Sequence, residues 1–360
     1  MTTFFHHIRC LTVTTFLCCV LSGCSSTPPV IPHKPAEPFS LVPVNFLRTG
    51  LSAGLVASSS RILVITSSRD GSWTAYNLPS LARRTGGRLP AIRALAIHPD
   101  SGSFLALSDG GLVTLVSLAD GQQAPVIAAN LPAGRLPATA ISSDAAFAVA
   151  RPPWGAARLY DLASAKAAPL DLPGSEVRFV SIAPDRTLLT GSRGSGSVIQ
   201  RSPSGALSAI PLSGSPVSAA WHRDYVACGS LFWEFRVWPR TEPGKAIVRT
   251  IDHTPVSALA LGQIENRIFL FAGSGRVGGG RIRAYGIPQC NELAALSPDC
   301  GEIIHLSVFG TTLVAVSGDG MAALWTIHPG TPVGTGHNAT NRPATNTAAQ
   351  SGIRTPAQFR

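Results

Sequence analysis

Seven apolar segments recur along this chain at nearly constant spacing. Aligned on Tyr76, Val116, Tyr160, Gln200, Trp238, Tyr285 and Trp325, they step by 40, 44, 40, 38, 47 and 40 residues. A period near forty made of short strand-like runs means a stack of similar sheet units, because one such unit cannot cover its own apolar faces. The clearest copy, Leu313–Ile327 (LVAVSGDGMAALWTI), reads as a strand, an Asp319-Gly320 turn and a second strand. Asp-Gly favours a two-residue hairpin with both central residues at positive φ. Composition agrees: with 35 Gly, 29 Pro and only 13% charged residues, short strands and turns are favoured over long helices. Between residues 40 and 328 no segment shows a sustained 3.6-residue apolar period with helix caps at its ends.

Each unit has the same internal order. An apolar strand comes first, as in IRALAIH at 92–98 and VRFVSIA at 177–183. A turn follows, with Pro99-Asp100 or Pro184-Asp185, or with Asp144 or Asp224 alone. The second strand (FLALS at 104–108, TLLTGS at 187–192) leads into a hairpin, which holds Asp70-Gly71, Asp109-Gly110 and Asp319-Gly320 in units one, two and seven. The third strand ends in the aligned residue, and a short fourth strand follows, as in LSAIPL at 207–212. The expected fold is therefore all-β, a seven-bladed β-propeller of four-stranded antiparallel blades. These turns and third-strand aromatics resemble those of WD-repeat propellers over residues 40–328. The Trp-Asp dipeptide is missing, Tyr160-Asp161 being nearest, and so is the Gly-His pair before the first strand. Blades here are therefore expected to rely on apolar packing. Unit seven lacks a fourth strand, while SLVPVNFLR at 40–48 precedes unit one's own first strand. In the family the two termini share a blade, so residues 41–48 are expected to supply the outer strand of the blade formed by 303–327.

The N-terminus reads as an address. Residues 11–21 form an apolar run too short to span a bilayer, and it ends in Leu21-Ser22-Gly23-Cys24. This resembles a bacterial lipoprotein signal. The resemblance implies removal of residues 1–23, lipidation of Cys24, and a bacterial envelope location with the protein anchored in the outer membrane and facing the periplasm. Residues 24–39 are then a Pro- and Ser-rich tether, and 329–360 a basic tail with three Arg and no acid, expected to be disordered. Cys290 and Cys300 are placed to close a disulfide in an oxidising compartment, the alternative being two free thiols; Cys228 reads as a buried small hydrophobe.

Signs of catalytic chemistry are few. Gly273–Gly278 fits G-x-G-x-x-G, but a strand (RIRAY) follows, and dinucleotide binding needs a helix N-terminus there. Acids fall in turns, where Asp70, Asp100, Asp109, Asp144, Asp185, Asp224 and Asp319 read as backbone-bonding turn residues. His98, His222, His253 and His305 are expected to divide between two faces, so no metal or other cofactor is assigned. The chain carries a net charge of +10; removing leader, tether and tail leaves 24 basic against 18 acidic residues. Arg69, Arg151, Trp154, Arg193, Phe232, Trp233 and Arg276 fall in or beside the second-to-third-strand hairpins, which share one face. Arg and Trp dominate binding energy at interfaces, so this face is the expected partner-binding surface. The partner is an envelope protein or an anionic envelope component rather than nucleic acid, and the protein is read as a non-enzymatic scaffold or adaptor. The alternative is an enzyme or small-ligand binder using the central channel.

Overall fold

A computed structural model describes residues 38–330, apart from 68–69, 90, 110, 129–137, 153–155, 173–176, 193–194, 252 and 276–278. Twenty-eight strands, β1 to β28 in chain order, form seven antiparallel sheets of four. Blade 1 is β2–β5 (53–88), blade 2 β6–β9 (92–128), blade 3 β10–β13 (138–170), blade 4 β14–β17 (177–211), blade 5 β18–β21 (216–250) and blade 6 β22–β25 (258–296). Blade 7 takes β26–β28 (303–328) and adds β1 (Ser40–Arg48) as its outer strand. Successive first strands touch one another round the circle, and β26 touches β2, so the ring is closed and the first strands surround the axis.

The closing strand pairs in the expected place. Ser40 lies opposite His328 and Arg48 opposite Met321, with Val44 inserted as a bulge between Pro43 and Asn45. Pro43 has no N–H to give, which an edge strand tolerates. The bulge switches the side-chain parity of the strand. Leu41 thus packs against the blade 6–7 core, while Leu47 packs against the blade 7–1 core.

Among the described residues there is no single core. Seven separate apolar clusters each fill one interface between neighbouring blades. Residues such as Trp73 and Phe104 meet edge to face, 4.9 Å apart, between blades 1 and 2. The residue ending each third strand turns toward the preceding blade: Tyr160 toward blade 2, Tyr285 toward blade 5, Trp325 toward blade 6. Blade 4 departs from the alignment. Gln200 pairs with Leu189, which faces blade 5, whereas Arg201 pairs with Leu188, which faces blade 3. Arg201 is therefore the equivalent residue, and it donates to Asp171 O of blade 3 at 2.6 Å. Gln200 instead accepts the buried Trp238 indole N–H at 2.7 Å and donates to Arg240 O at 3.0 Å, joining blades 4 and 5.

The turns depart from expectation in one respect. Asp319-Gly320 is not a two-residue hairpin, because only Gly320 has positive φ (+83°). Gly320 N–H donates to Ser317 O at 2.9 Å, leaving a three-residue loop closed by a left-handed glycine. The Asp109 hairpin repeats this, with Gly111 N–H to Ser108 O at 3.0 Å and Gly111 at +74°. The serine that ends the second strand has a second task. Its hydroxyl accepts the first N–H of the third strand: Ser108 from Leu112, Ser230 from Glu234, Ser317 from Met321. Gly320 is doubly constrained, since a Cβ there would lie 2.0 Å from Leu51 O and its own carbonyl accepts Thr49 N–H. Gly320→Ala is expected to lower stability by more than about 2 kcal/mol, through left-handed strain plus the clash. Urea unfolding measures it, and a shift below about 0.5 kcal/mol contradicts it.

Candidate functional site

One face of the ring carries the second-to-third-strand hairpins and the fourth-to-first-strand connections. Backbone bonds staple the two sets together: Leu89 N–H to Gly71 O, Asp109 N–H to Ala91 O, Leu231 N–H to Ser215 O, Ile251 N–H to Trp233 O, Gly318 N–H to Glu302 O. A rigid support for this face is thus built into the backbone.

Of the residues expected to bind a partner, Arg69, Trp154, Arg193 and Arg276 lie outside the described residues, as does Cys24. Arg151 ends the second strand of blade 3 and is half-buried. Its Nη1 donates to Val177 O at 2.8 Å, so it ties blade 3 to blade 4.

Phe232 and Trp233 are brought together at the surface. They form the hairpin between β19 (Tyr225–Ser230) and β20 (Glu234–Pro239). Leu231, Phe232 and Trp233 are 45%, 50% and 38% exposed, so three consecutive large apolar side chains reach solvent. Burial elsewhere holds them in place. Phe232 lies on Gly214, where a Cβ would come within 2.2 Å of its ring. Trp233 takes the left-handed position of the loop (φ +47°) and meets His253 edge to face at 5.1 Å. Below them Glu234 accepts from Ser213 N and Oγ and from Arg236 Nε at 2.7 Å. Burial acts to raise the Glu234 pKa, but the Ser213 and Arg236 bonds outweigh it and hold the carboxyl below its ordinary value. An apolar ridge on a fixed, ionised base can lose water on contact without first being ordered. Leu231 was missed in sequence because one Leu in a turn carries no periodic signal.

The expected disulfide is not formed: Cys290 and Cys300 are free, buried thiols. Cys290 sits before β25 (Asn291–Leu296) in the blade 5–6 core, and Cys300 sits beyond it in the blade 6–7 core. A strand of this length holds its ends roughly 20 Å apart, against a Cα separation of about 4.4–6.8 Å for a disulfide. Burial pushes both thiols up to about 11.

The acids mostly serve turns. Asp100, Asp144 and Asp185 accept the N–H two residues on, from Gly102, Ala146 and Thr187 at 2.8, 3.2 and 3.0 Å. Asp109 instead forms a two-point ion pair with Arg93. Among the described residues no group of three or more His, Cys, Asp or Glu converges as a metal site would need. His98 and His222 lie at first-to-second-strand turns beside Asp100 and Asp224. His305 stands apart near the axis, on β26 (Ile303–Phe309), where Ser58 Oγ lies 2.8 Å from its Nε2 and 2.7 Å from Ser307 Oγ. Burial pushes its imidazole down to about 4 from 6.5. A base that weak is poorly matched to activating a hydroxyl near neutral pH.

No protein-family model matches the chain, and no curated protein matches it.

The low imidazole pKa sets a pH dependence. The unfolded chain takes up this proton near 6.5, the fold only near 4. Stability is therefore full above about 6.5 and falls as the pH drops toward 4, by about 3 kcal/mol from this group. His305→Gln is expected to remove that part of the acid sensitivity. Urea unfolding of both proteins across this range checks it, and parallel curves contradict it.

Proposed function

We propose that the protein is a membrane-anchored periplasmic lipoprotein whose propeller acts as a protein-interaction scaffold or adaptor, without catalysis of its own. The observation that carries this reading is the Leu231-Phe232-Trp233 ridge, exposed yet fixed by Gly214, His253 and Glu234. A seven-bladed ring supports such a role by presenting loops on a rigid frame. The address rests on Leu21-Ser22-Gly23-Cys24, with Cys24 carrying lipid and residues 25–39 spanning from the outer membrane to the first strand. The partner is an envelope protein or an anionic envelope component. The basic tail and Arg-bearing hairpins suit anionic surfaces, and no nucleic acid role is assigned.

An axial enzyme remains the second reading, for the Ser58–His305 contact at 2.8 Å is the geometry of a nucleophile and its base. Two things weigh against it. The imidazole is a weak base, and among the described residues no acid is hydrogen-bonded to it.

Crosslinked pull-down from envelope fractions tests the scaffold reading. Phe232→Ser with Trp233→Asn, chosen because Asn tolerates the left-handed backbone, is expected to weaken capture of the partner by at least about thirtyfold. Cys24→Ala is expected to release the protein from membranes. Unchanged capture contradicts the ridge, and retention in the membrane contradicts the anchor.

A further inference from the structure

Between the outer strands of blades 7 and 1 lies a groove of about 760 Å³. That volume is within the roughly 300–1,000 Å³ range of ligand sites. It arises from a missing side chain. On β4 (Ser72–Asn77) and β5 (Ala82–Arg88), the pairs Ser72–Arg88, Thr74–Gly86 and Tyr76–Arg83 alternate along the sheet face turned toward blade 7. Gly86 leaves the middle of that face open. It has no positive φ that would require glycine, yet a Cβ there would meet Trp73 O at 2.8 Å and Arg83 Nη2 at 3.2 Å. The glycine thus makes room for a guanidinium lying along the groove. Across from it, beyond its bulge, β1 contributes Leu47, whereas Arg48 turns to the blade 6–7 side, where its Nη2 donates to Asp299 O at 3.1 Å.

The lining is graded. Leu47, Tyr76 and Leu81 give an apolar end, continuous with the blade 7–1 core. Arg83 and Arg88 supply two positive charges against Asp70 alone. Asp70 is already engaged: Ser72 Oγ and N–H donate to it at 2.7 and 3.1 Å and hold its pKa well below the carboxylate range. Its contact with Arg88 is long, 3.4 Å, and 77% of the Arg88 side chain is exposed. Pairs this exposed contribute little and exchange readily. The Arg83 guanidinium has no hydrogen-bond or ion-pair partner among the described residues.

We propose that this groove binds an extended peptide segment bearing acidic and aliphatic side chains, held by the guanidiniums of Arg83 and Arg88. Charge complementarity argues for an acidic occupant, since an unpaired guanidinium matches a carboxylate with two parallel hydrogen bonds. Extended shape follows from the walls, β1 on one side and the β4–β5 face on the other, which run along the blades for roughly seven residues at about 3.3 Å each. The Ser72 hydroxyl oxygen, whose proton goes to Asp70, keeps lone pairs that can accept a main-chain N–H, and the Leu47–Tyr76–Leu81 end takes an aliphatic side chain. A single-stranded nucleic acid fits poorly, because it needs exposed aromatic platforms and Tyr76 is only 6% exposed. The protein's own tail, with three Arg and no acid, is repelled. The proposal shares the interaction role proposed above but depends on neither the membrane address nor the Phe232–Trp233 ridge.

Fluorescence anisotropy with fluorescein-labelled hexapeptides tests it, using the full chain. One peptide alternates Glu with Leu, a second Lys with Leu, a third Glu with Ser, and a labelled RNA hexamer serves as a further probe. The Glu–Leu peptide is expected to bind best, with affinity falling as salt rises. Arg83→Ala is expected to weaken it about tenfold, and Arg83→Glu to shift preference to the Lys–Leu peptide. Arg223→Ala, in a turn of blade 5, is expected to change nothing. Thermal melts establish that each variant is folded, and Arg83→Gln replaces any that is not. Failure of the Glu–Leu peptide to bind, equal binding of the RNA, or insensitivity to Arg83 overturns the proposal. Peptide binding that survives in the Phe232→Ser/Trp233→Asn protein separates this site from the ridge.

Discussion

The fold depends on pairing between its two ends. Every blade presents two apolar faces, and each is covered only when a neighbouring blade stands against it. A row of seven blades leaves two faces bare unless the last meets the first. The chain meets this condition by giving its final blade a strand from its beginning, so that β1 and β28 pair from Ser40–His328 to Arg48–Met321. That contact spans nearly the whole folded chain. It also removes the free edge that β28 would otherwise expose, and it places the groove between blades 7 and 1 at the seam.

The rest of the stability is divided into seven interface cores, each built from strands of two adjacent blades. The links between blades are varied. Gln200 and Trp238 share a buried hydrogen bond, Phe235 and Tyr285 meet at 5.0 Å with their rings tilted by 60°, and Arg151 and Arg201 reach carbonyls across the gap. Apolar contact fills the rest of each gap. The same arrangement explains why the hairpin face is firm: its loops hang on strands buried on both sides.

Much of this was legible in the sequence because strand alternation and turn residues are local signals. The seven units, the closing strand and the turn roles of Asp100, Asp144 and Asp185 could all be read. Other features were not. Gln200 was aligned where Arg201 belongs, because a one-residue slip exchanges the two faces of a strand and Gln carries no apolar signal to fix the register. Bulges after Ile92, Val177, Pro216 and Ile303 leave no mark in composition. The left-handed residues Ser101, Ala145 and Arg186, which follow the turn acids, are not the glycines that would reveal such a position. Of the candidate surface, Phe232 and Trp233 were legible as aromatics in a turn. Arg151 proved to be a tie between blades. The groove could not be read at all, since it joins residues from 47 to 88 across two blades and is opened by an absent Cβ at Gly86.

Ring closure is the claim on which the architecture stands, and amide hydrogen exchange tests it most directly. If β1 closes blade 7, the amides of β1 and β28 that bond each other exchange slowly, with opening free energies close to those of the central strands such as β27 (Thr312–Ser317). Fast exchange along β1 and the facing edge of β28, while β27 stays protected, contradicts closure by the N-terminal strand.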